Sequence, residues 1–259
     1  MLTSTNSNDN EALFDYCVKL GDDRLILGQR LGELCGHAPI LEEDIALTNI
    51  ALDEIGMAVN FYKYAVELEG KGRSEDDLAF FRDSMHFKNL TIVEQPNEDF
   101  AYTIMRQFIF DSYSYFLFEE LINSKDSQIK AIAEKSIKEI KYHLRHSSQW
   151  ILRLGDGTEE SHSRIQDALG YLWQFTNELF ENDENDLFLS KSGFAPDLST
   201  IKQKWEDYTH DILLKATLTI PSSNYRFTKG GRHGIHTEYL DYILSEMQIL
   251  PRTYPDAKW

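Results

Sequence analysis

Residues 127–154 have the sequence SQIKAIAEKSIKEIKYHLRHSSQWILRL, which contains neither proline nor glycine and repeats apolar residues at helical spacing. The pattern predicts an amphipathic helix with one face in a hydrophobic core. The stripe on that face consists of Ile129, Ala133, Ser136, Ile140, His143, Ser147, Trp150 and Leu154. All of these residues are apolar or small except His143. A lone histidine on such a stripe is more often a satisfied core residue than a ligand, so its role depends on what other helices place beside it.

The composition is that of a globular, acidic protein. Of the 259 residues 42% are hydrophobic, which is enough for a large core, and the formal net charge is -17. So negative a chain repels phosphates on average, which argues against DNA or RNA as a partner. Net negative charge is also an ordinary means of keeping a cytosolic protein in solution.

The sequence shows no targeting or membrane segment. Its first residues have no positive region followed by an apolar one, and nowhere do about 18 apolar residues run together. Cys17 and Cys35 lie in one predicted helix, which predicts reduced thiols rather than a disulfide framework or a zinc site. We therefore expect a cytoplasmic chain that binds no membrane, with residues 1–9 as a disordered polar tail and residues 10–259 as a single helical domain.

Three further stretches have the same helical periodicity as residues 127–154. They are predicted to run from Glu11 to Leu34, from Leu41 to about Leu68, and from an N-cap at Asn97 to about Asn123. The loops at residues 36–40 and 124–127 are short, so each joins two antiparallel neighbours.

Residues 70–96 form a long connection between the two helix pairs, broken by Gly70, Gly72 and Pro96. A hairpin, a long crossover and a second hairpin is the topology of ferritin-like bundles. We therefore predict an all-α, ferritin-like four-helix bundle with the crossover between the second and third helices. Extra C-terminal helices, predicted at Ser161–Phe180, from Asp197 to about Thr219 and at His236–Leu250, should pack around this bundle.

Each of the four long helices carries one ionisable residue in the middle of its apolar stripe. These residues are Arg24, Glu54, Asp111 and His143. The two-metal carboxylate bundles use a Glu from each of two helices and a Glu-x-x-His from each of the other two. This sequence departs from that pattern, because Met57 stands where the second helix needs a histidine and Ile140 where the fourth needs a carboxylate.

Electrostatics favours an ion cluster over a metal centre at these four positions. Two buried carboxylates need compensating positive charge, and Arg24 can supply the charge that a pair of iron ions would otherwise supply. We therefore interpret Arg24, Glu54, Asp111 and His143 as a degenerate di-iron centre with no metal and no catalytic residue. The alternative is that Glu54, Asp111 and His143 hold one divalent ion, which the adjacent guanidinium would oppose.

A glycine-rich basic loop occupies residues 224–238, NYRFTKGGRHGIHTE. Its cations are Arg226, Lys229, Arg232 and His233, which a phosphate-bearing ligand or an acidic partner could use. The spacing matches neither a P-loop nor a dinucleotide fingerprint, so a structural loop is favoured over ligand contact.

Several long blocks of the chain, in one order, resemble a known family. They include LGDDRLILGQRLGELCGHAPILEEDIALTNIALDEIG, VEQPNEDFA, IKEIKYHLRHSSQWILRLGDGT and KGGRHGIHTEYLDYILSEMQ. The sequence resembles the structural C subunits of bacterial phenylacetyl-CoA epoxidases, the ring oxygenases of phenylacetate breakdown. The resemblance extends from about Tyr16 to Trp259.

This resemblance implies a ferritin-like protein without a cofactor of its own. It would pair with and stabilise the related catalytic A subunit, which is expected to hold a di-iron centre and to epoxidise the ring of an aromatic acyl-CoA, and it could assemble further into a larger hetero-oligomer. The aromatic residues around the predicted third helix suit a helix buried on several sides, which favours a partner interface. They are Phe108, Phe110, Tyr113, Tyr115, Phe116 and Phe118.

Two other functions remain open from the residues alone. One is a stand-alone metal-dependent oxidase that uses Glu54, Asp111 and His143. The other is a helical module that binds acyl-CoA through the loop at residues 224–238.

Overall fold

The computed structural model describes residues 7–222 and 228–257, and in these ranges the chain is all-α, as predicted. The α-helices are α1 (Ser7–Gly32), α2 (Leu41–Glu69), α3 (Glu75–Phe80), α4 (Phe100–Leu121), α5 (Ser127–Gly155), α6 (Glu159–Leu172), α7 (Glu184–Ser192), α8 (Leu198–Lys215) and α9 (Glu238–Thr253). Short 3-10 segments occupy Ser84–His86, Trp173–Phe180 and Gly231–His233. None of the helices in these ranges combines the length and apolarity needed to cross a bilayer.

Two helix pairs form the bundle. Helices α1 and α2 pack along each other and so do α4 and α5, while residues 70–99 cross from one pair to the other. This is the ferritin-like order that the sequence predicts. Helix α1 begins at Ser7, inside the predicted polar tail, and residues 1–6 of that tail lie outside the described residues.

The third long helix starts later than its sequence suggests. Asp99 is the N-cap, and its side chain accepts a hydrogen bond from the backbone N–H of Tyr102 at 3.0 Å, so α4 begins at Phe100. The predicted cap, Asn97, is used differently. Its amide donates to the carbonyl of Arg30 at 2.7 Å and its side-chain oxygen accepts from Arg106 at 2.7 Å.

Helix α4 is buried by other helices of the same chain. Helices α6 and α8 both pack against it, and the indole N–H of Trp205 on α8 donates to the carbonyl of Ile109 at 3.2 Å. Tyr208, also on α8, lies against the rings of Phe108 and Phe116. Four of the six aromatic residues, Phe108, Phe110, Tyr113 and Phe118, are thus buried within the chain itself. This confirms a helix buried on several sides, whereas the partner interface stays a prediction.

The crossover contains an irregular segment that lies inside the protein. Residues 87–95 are buried except Lys88, although their backbone N–H groups belong to no helix. Buried N–H groups need acceptors, and three carboxylates provide them here. Asp22 accepts from Lys88 at 2.7 Å, Asp23 from Leu90 at 2.8 Å and Glu178 from Thr91 at 2.7 Å.

Two of these carboxylates, Asp23 and Glu178, also bind the glycine-rich loop. The guanidinium of Arg232 donates to both oxygens of Asp23 at 3.0 and 2.8 Å, while Glu178 accepts from the N–H groups of Gly230 and Gly231 at 2.9 and 2.7 Å. A Cβ atom on Gly231 would lie 2.2 Å from the carbonyl oxygen of Asn89, so only glycine fits there. The loop is thus clamped onto the crossover.

Replacing Arg232 with leucine should destabilise the fold strongly. Arg232→Leu leaves the buried Asp23 carboxylate without its cation, and breaking a buried pair in this way costs about 3–5 kcal/mol. Urea unfolding followed by circular dichroism measures the loss. Lys229→Ala is the control in the same loop, because Lys229 is mostly exposed and, among the described residues, forms an ion pair with Glu181 alone. Equal unfolding midpoints for the two variants would contradict the clamp.

Candidate functional site

The four mid-stripe residues meet at the centre of the bundle. Arg24 comes from α1, Glu54 from α2, Asp111 from α4 and His143 from α5, and none is more than 1% exposed. Each helix buries an apolar face, and each of these residues replaces one apolar position of that face at a similar height. The juxtaposition expected from the helix pairs is therefore present.

Arg24 and Glu54 form a fully buried ion pair within the cluster. Arg24 Nη1 lies 3.2 Å from Glu54 Oε1 and 3.0 Å from Oε2, and Nη2 donates to Ser114 Oγ at 2.9 Å. The guanidinium carbon lies 4.7 and 4.9 Å from the ring centres of Phe110 and Phe118, so two aromatic faces also stabilise the cation. The arginine thus points into the bundle.

His143 binds two acidic residues of α2. Its Nε2 lies 3.0 Å from Asp53 Oδ2, and its Nδ1 lies 3.4 Å from Glu54 Oε1 without the alignment of a hydrogen bond. Asp53 is not among the site residues predicted from the sequence, because it lies off the apolar stripe and its side chain is 35% exposed. Its position directly before Glu54 could have indicated the contact, because a side chain about 100° around α2 from Glu54 can face α5.

Asp111 is held by neutral donors. Gln107 donates to its Oδ1 at 3.0 Å and Ser147 to its Oδ2 at 2.8 Å. One ligand atom each from Glu54, Asp111 and His143 lie within 4.8 Å of one another.

The surroundings give these groups different protonation states. Burial by itself would raise the pKa of Glu54, but Arg24 and His143 outweigh burial and lower it. Burial would lower the pKa of His143, but Asp53 and Glu54 raise it to about 9. For Asp111, burial is the largest effect and raises the pKa to about 7. At neutral pH His143 is therefore a cation beside the Glu54 carboxylate, and Asp111 is near its own midpoint.

The residues present do not fit a two-metal centre. Such a centre takes four carboxylates and two histidines, whereas this cluster places one Glu, one Asp and one His around a common point. Met57 and Ile140 occupy two of the expected ligand positions. The oxygens of Glu54 already accept from Arg24, and a guanidinium 3.0 Å away repels a metal cation. One divalent ion held by three ligands is the most that the donor set allows.

The three cations of the glycine-rich loop that the structure describes do not converge on a common site. Arg232 points inward to Asp23, Lys229 pairs with Glu181 at 3.2 Å, and His233 is exposed. Arg226 lies outside the described residues. In the described part of the loop the geometry favours the structural role.

Known proteins resemble this chain along nearly its entire length. A family model described as phenylacetic acid catabolic protein matches residues 2–259. The C subunit of the 1,2-phenylacetyl-CoA epoxidase of Escherichia coli (strain K12) is 49% identical over 244 residues, which cover 94% of this chain and 98% of that protein.

The variant Asp111→Asn should gain stability relative to the wild type as pH rises. An unfolded aspartate ionises near 3.9 whereas Asp111 has a pKa of about 7, so between these values the folded state binds the extra proton. The wild type therefore loses up to about 4 kcal/mol of stability between pH 4 and pH 8, and the variant does not. Urea unfolding at several pH values measures the difference. The control is Asp207→Asn, at an exposed position of α8, whose stability should change with pH as that of the wild type does. The same pH dependence in Asp111→Asn would contradict the raised pKa of Asp111.

His143 should add a second loss of stability at higher pH. Its pKa of about 9 lies above the unfolded value near 6.5, so its contribution is complete below pH 6.5 and disappears as pH rises through 9. Over this interval the free energy of unfolding of the wild type should fall by about 3 kcal/mol more than that of His143→Gln. NMR titration of the imidazole protons measures the same pKa, and a midpoint below 7 would contradict the proposed cation.

Proposed function

Because this chain belongs to the phenylacetic acid catabolic protein family, we propose that it is a non-catalytic structural subunit of a phenylacetyl-CoA epoxidase. In this role it pairs with and stabilises the catalytic A subunit, which carries the di-iron centre and epoxidises the aromatic ring. The likeness to a C subunit of such an enzyme along nearly its whole length supports this role. The two unpaired cysteines are compatible with a reducing cytoplasm, where we place the complex.

The observation that carries the proposal is the contact between Arg24 and Glu54. In a two-metal bundle the central carboxylates bind metal ions, but here a guanidinium neutralises the carboxylate and holds it by hydrogen bonds. The cluster therefore balances buried charge within the chain, and both oxygens of Glu54 already accept from Arg24. A bundle that is complete without metal can act as a rigid support for a related catalytic bundle.

A stand-alone oxidase is the second candidate, and one observation favours it. Glu54, Asp111 and His143 each place a ligand atom within 4.8 Å of the others. Three ligands with an open position suffice for some catalytic metal sites. Acyl-CoA binding has no similar support in the described part of the glycine-rich loop, because Asp23 binds Arg232 and Glu181 binds Lys229 there.

Turnover by the assembled complex separates the first two candidates. His143→Gln should leave the rate per assembled complex within about twofold of the wild type, since a supporting subunit contributes nothing to the chemical step. The assembled fraction is measured by size-exclusion chromatography on the same samples, so that lost assembly is not mistaken for lost chemistry. Ser136→Ala, another change of a buried polar residue of α5, is the matched control. A rate that falls by about 100-fold in fully assembled His143→Gln complex would favour the oxidase.

A further inference from the structure

Helix α2 is apolar on two opposite faces. Its inner face buries Ile50, Met57 and Phe61 together with Glu54. Its outer face carries Leu41, Ile45 and Leu52, which are 70%, 54% and 62% exposed. Their spacing of four and seven residues places them on one stripe, about 27 Å long if it is followed to Val59. A helix that is apolar all round is normally covered on every side, and no described element covers this one on the outside.

Gly56 lies on the same outer stripe and has no explanation within the described chain. Glycine in a helix interior is less favourable than alanine, so it usually marks a close approach. Gly21 and Gly28 on α1 show such approaches, because an added Cβ would lie 2.5 Å from the Tyr62 ring and 2.7 Å from the Ile55 side chain respectively. A Cβ on Gly56 would meet no atom within 4 Å. Another backbone that crosses α2 at this point would account for the glycine.

The charges beside the stripe indicate what kind of surface fits it. Glu42 and Glu67 are exposed along its edges and Asp53 is partly exposed, while the cation Lys63 already pairs with Glu75 at 3.5 Å. A second copy of this chain would bring another net charge of -17 and the same acidic edges. A helix whose apolar stripe is bordered by lysine or arginine complements this face better.

We propose that the outer face of α2, formed by Leu41, Ile45, Leu52 and Gly56, docks a helix of the catalytic partner subunit, an apolar helix with basic edges that crosses α2 at Gly56. This rests on the proposed function, because it identifies the surface through which the pairing occurs. Helix axes usually pack 8–10 Å apart, and a glycine at the crossing allows the near end of that range. The docked helix then lies on the other side of α2 from Glu54, one helix diameter from the ion cluster.

Gly56→Leu tests the crossing point. The space around Gly56 is open, so the isolated variant should keep or raise the melting temperature of the wild type, while a bulky side chain keeps the partner helix away. Affinity for the purified A subunit, measured by titration calorimetry, should fall by about 30-fold or more, as for a central interface residue. Leu52→Asp, a change at an exposed position, should weaken binding similarly.

Two controls match these variants in chemistry but lie on other helices. Ala131→Leu adds a bulky side chain at an exposed small residue of α5. Tyr242→Asp removes an apolar side chain of α9 that is 61% exposed. Both should bind the A subunit like the wild type, with unchanged circular dichroism.

The outcomes separate this inference from the function on which it rests. If the wild type binds the A subunit and both α2 variants bind equally well, the docking face is overturned and the proposed function stands. If the wild type does not bind at all, both are overturned. If the chain alone sediments as a dimer that Gly56→Leu converts to a monomer, the face belongs to a second copy and the proposal is overturned. Loss of A-subunit binding in the α2 variants alone supports it.

Discussion

The bundle depends on the buried contact between Arg24 and Glu54, which neutralises a carboxylate at its centre. A bundle that brings carboxylates to its centre must neutralise them, and each uncompensated charge would cost several kcal/mol. Two-metal proteins use cations from solution for this purpose, whereas here one side chain of α1 supplies the charge. His143, whose pKa is raised, adds a second positive group. Burial brings Asp111 close to protonation, although the Ser147 hydroxyl that donates to it favours its charged form.

Three consecutive residues of α1 connect the bundle to its surroundings. Successive helical side chains point about 100° apart, so Asp22, Asp23 and Arg24 face three different elements. Asp22 binds Arg82 and Asp23 binds Arg232, while Arg24 binds Glu54. The first two contacts hold the crossover and the glycine-rich loop, and the third holds the bundle centre. Helix α1 is buried along most of its length. Through these three charged residues it binds the crossover, the glycine-rich loop and α2.

The sequence predicted what depends on local periodicity and missed what depends on distant partners. The four long helices and the meeting of their mid-stripe residues follow from apolar spacing and from two short loops. The start of α4 was misplaced, because Asn97 and Asp99 are both good caps and only the tertiary contact of Asn97 with Arg106 distinguishes them. The pairing of Asp23 with Arg232 spans 209 residues and has no periodic signature. Asp53 was missed because a half-exposed acid on a helix normally has only solvent as its neighbour.

Metal content is the measurement that decides whether a guanidinium has replaced a metal centre here. The chain would be produced in medium supplemented with iron, manganese and zinc, desalted, and assayed by mass spectrometry together with His143→Gln. If Arg24 provides the compensating charge, both proteins should contain far less than one ion per chain. One ion per wild-type chain that is absent from His143→Gln would contradict this view and make Glu54, Asp111 and His143 a metal site.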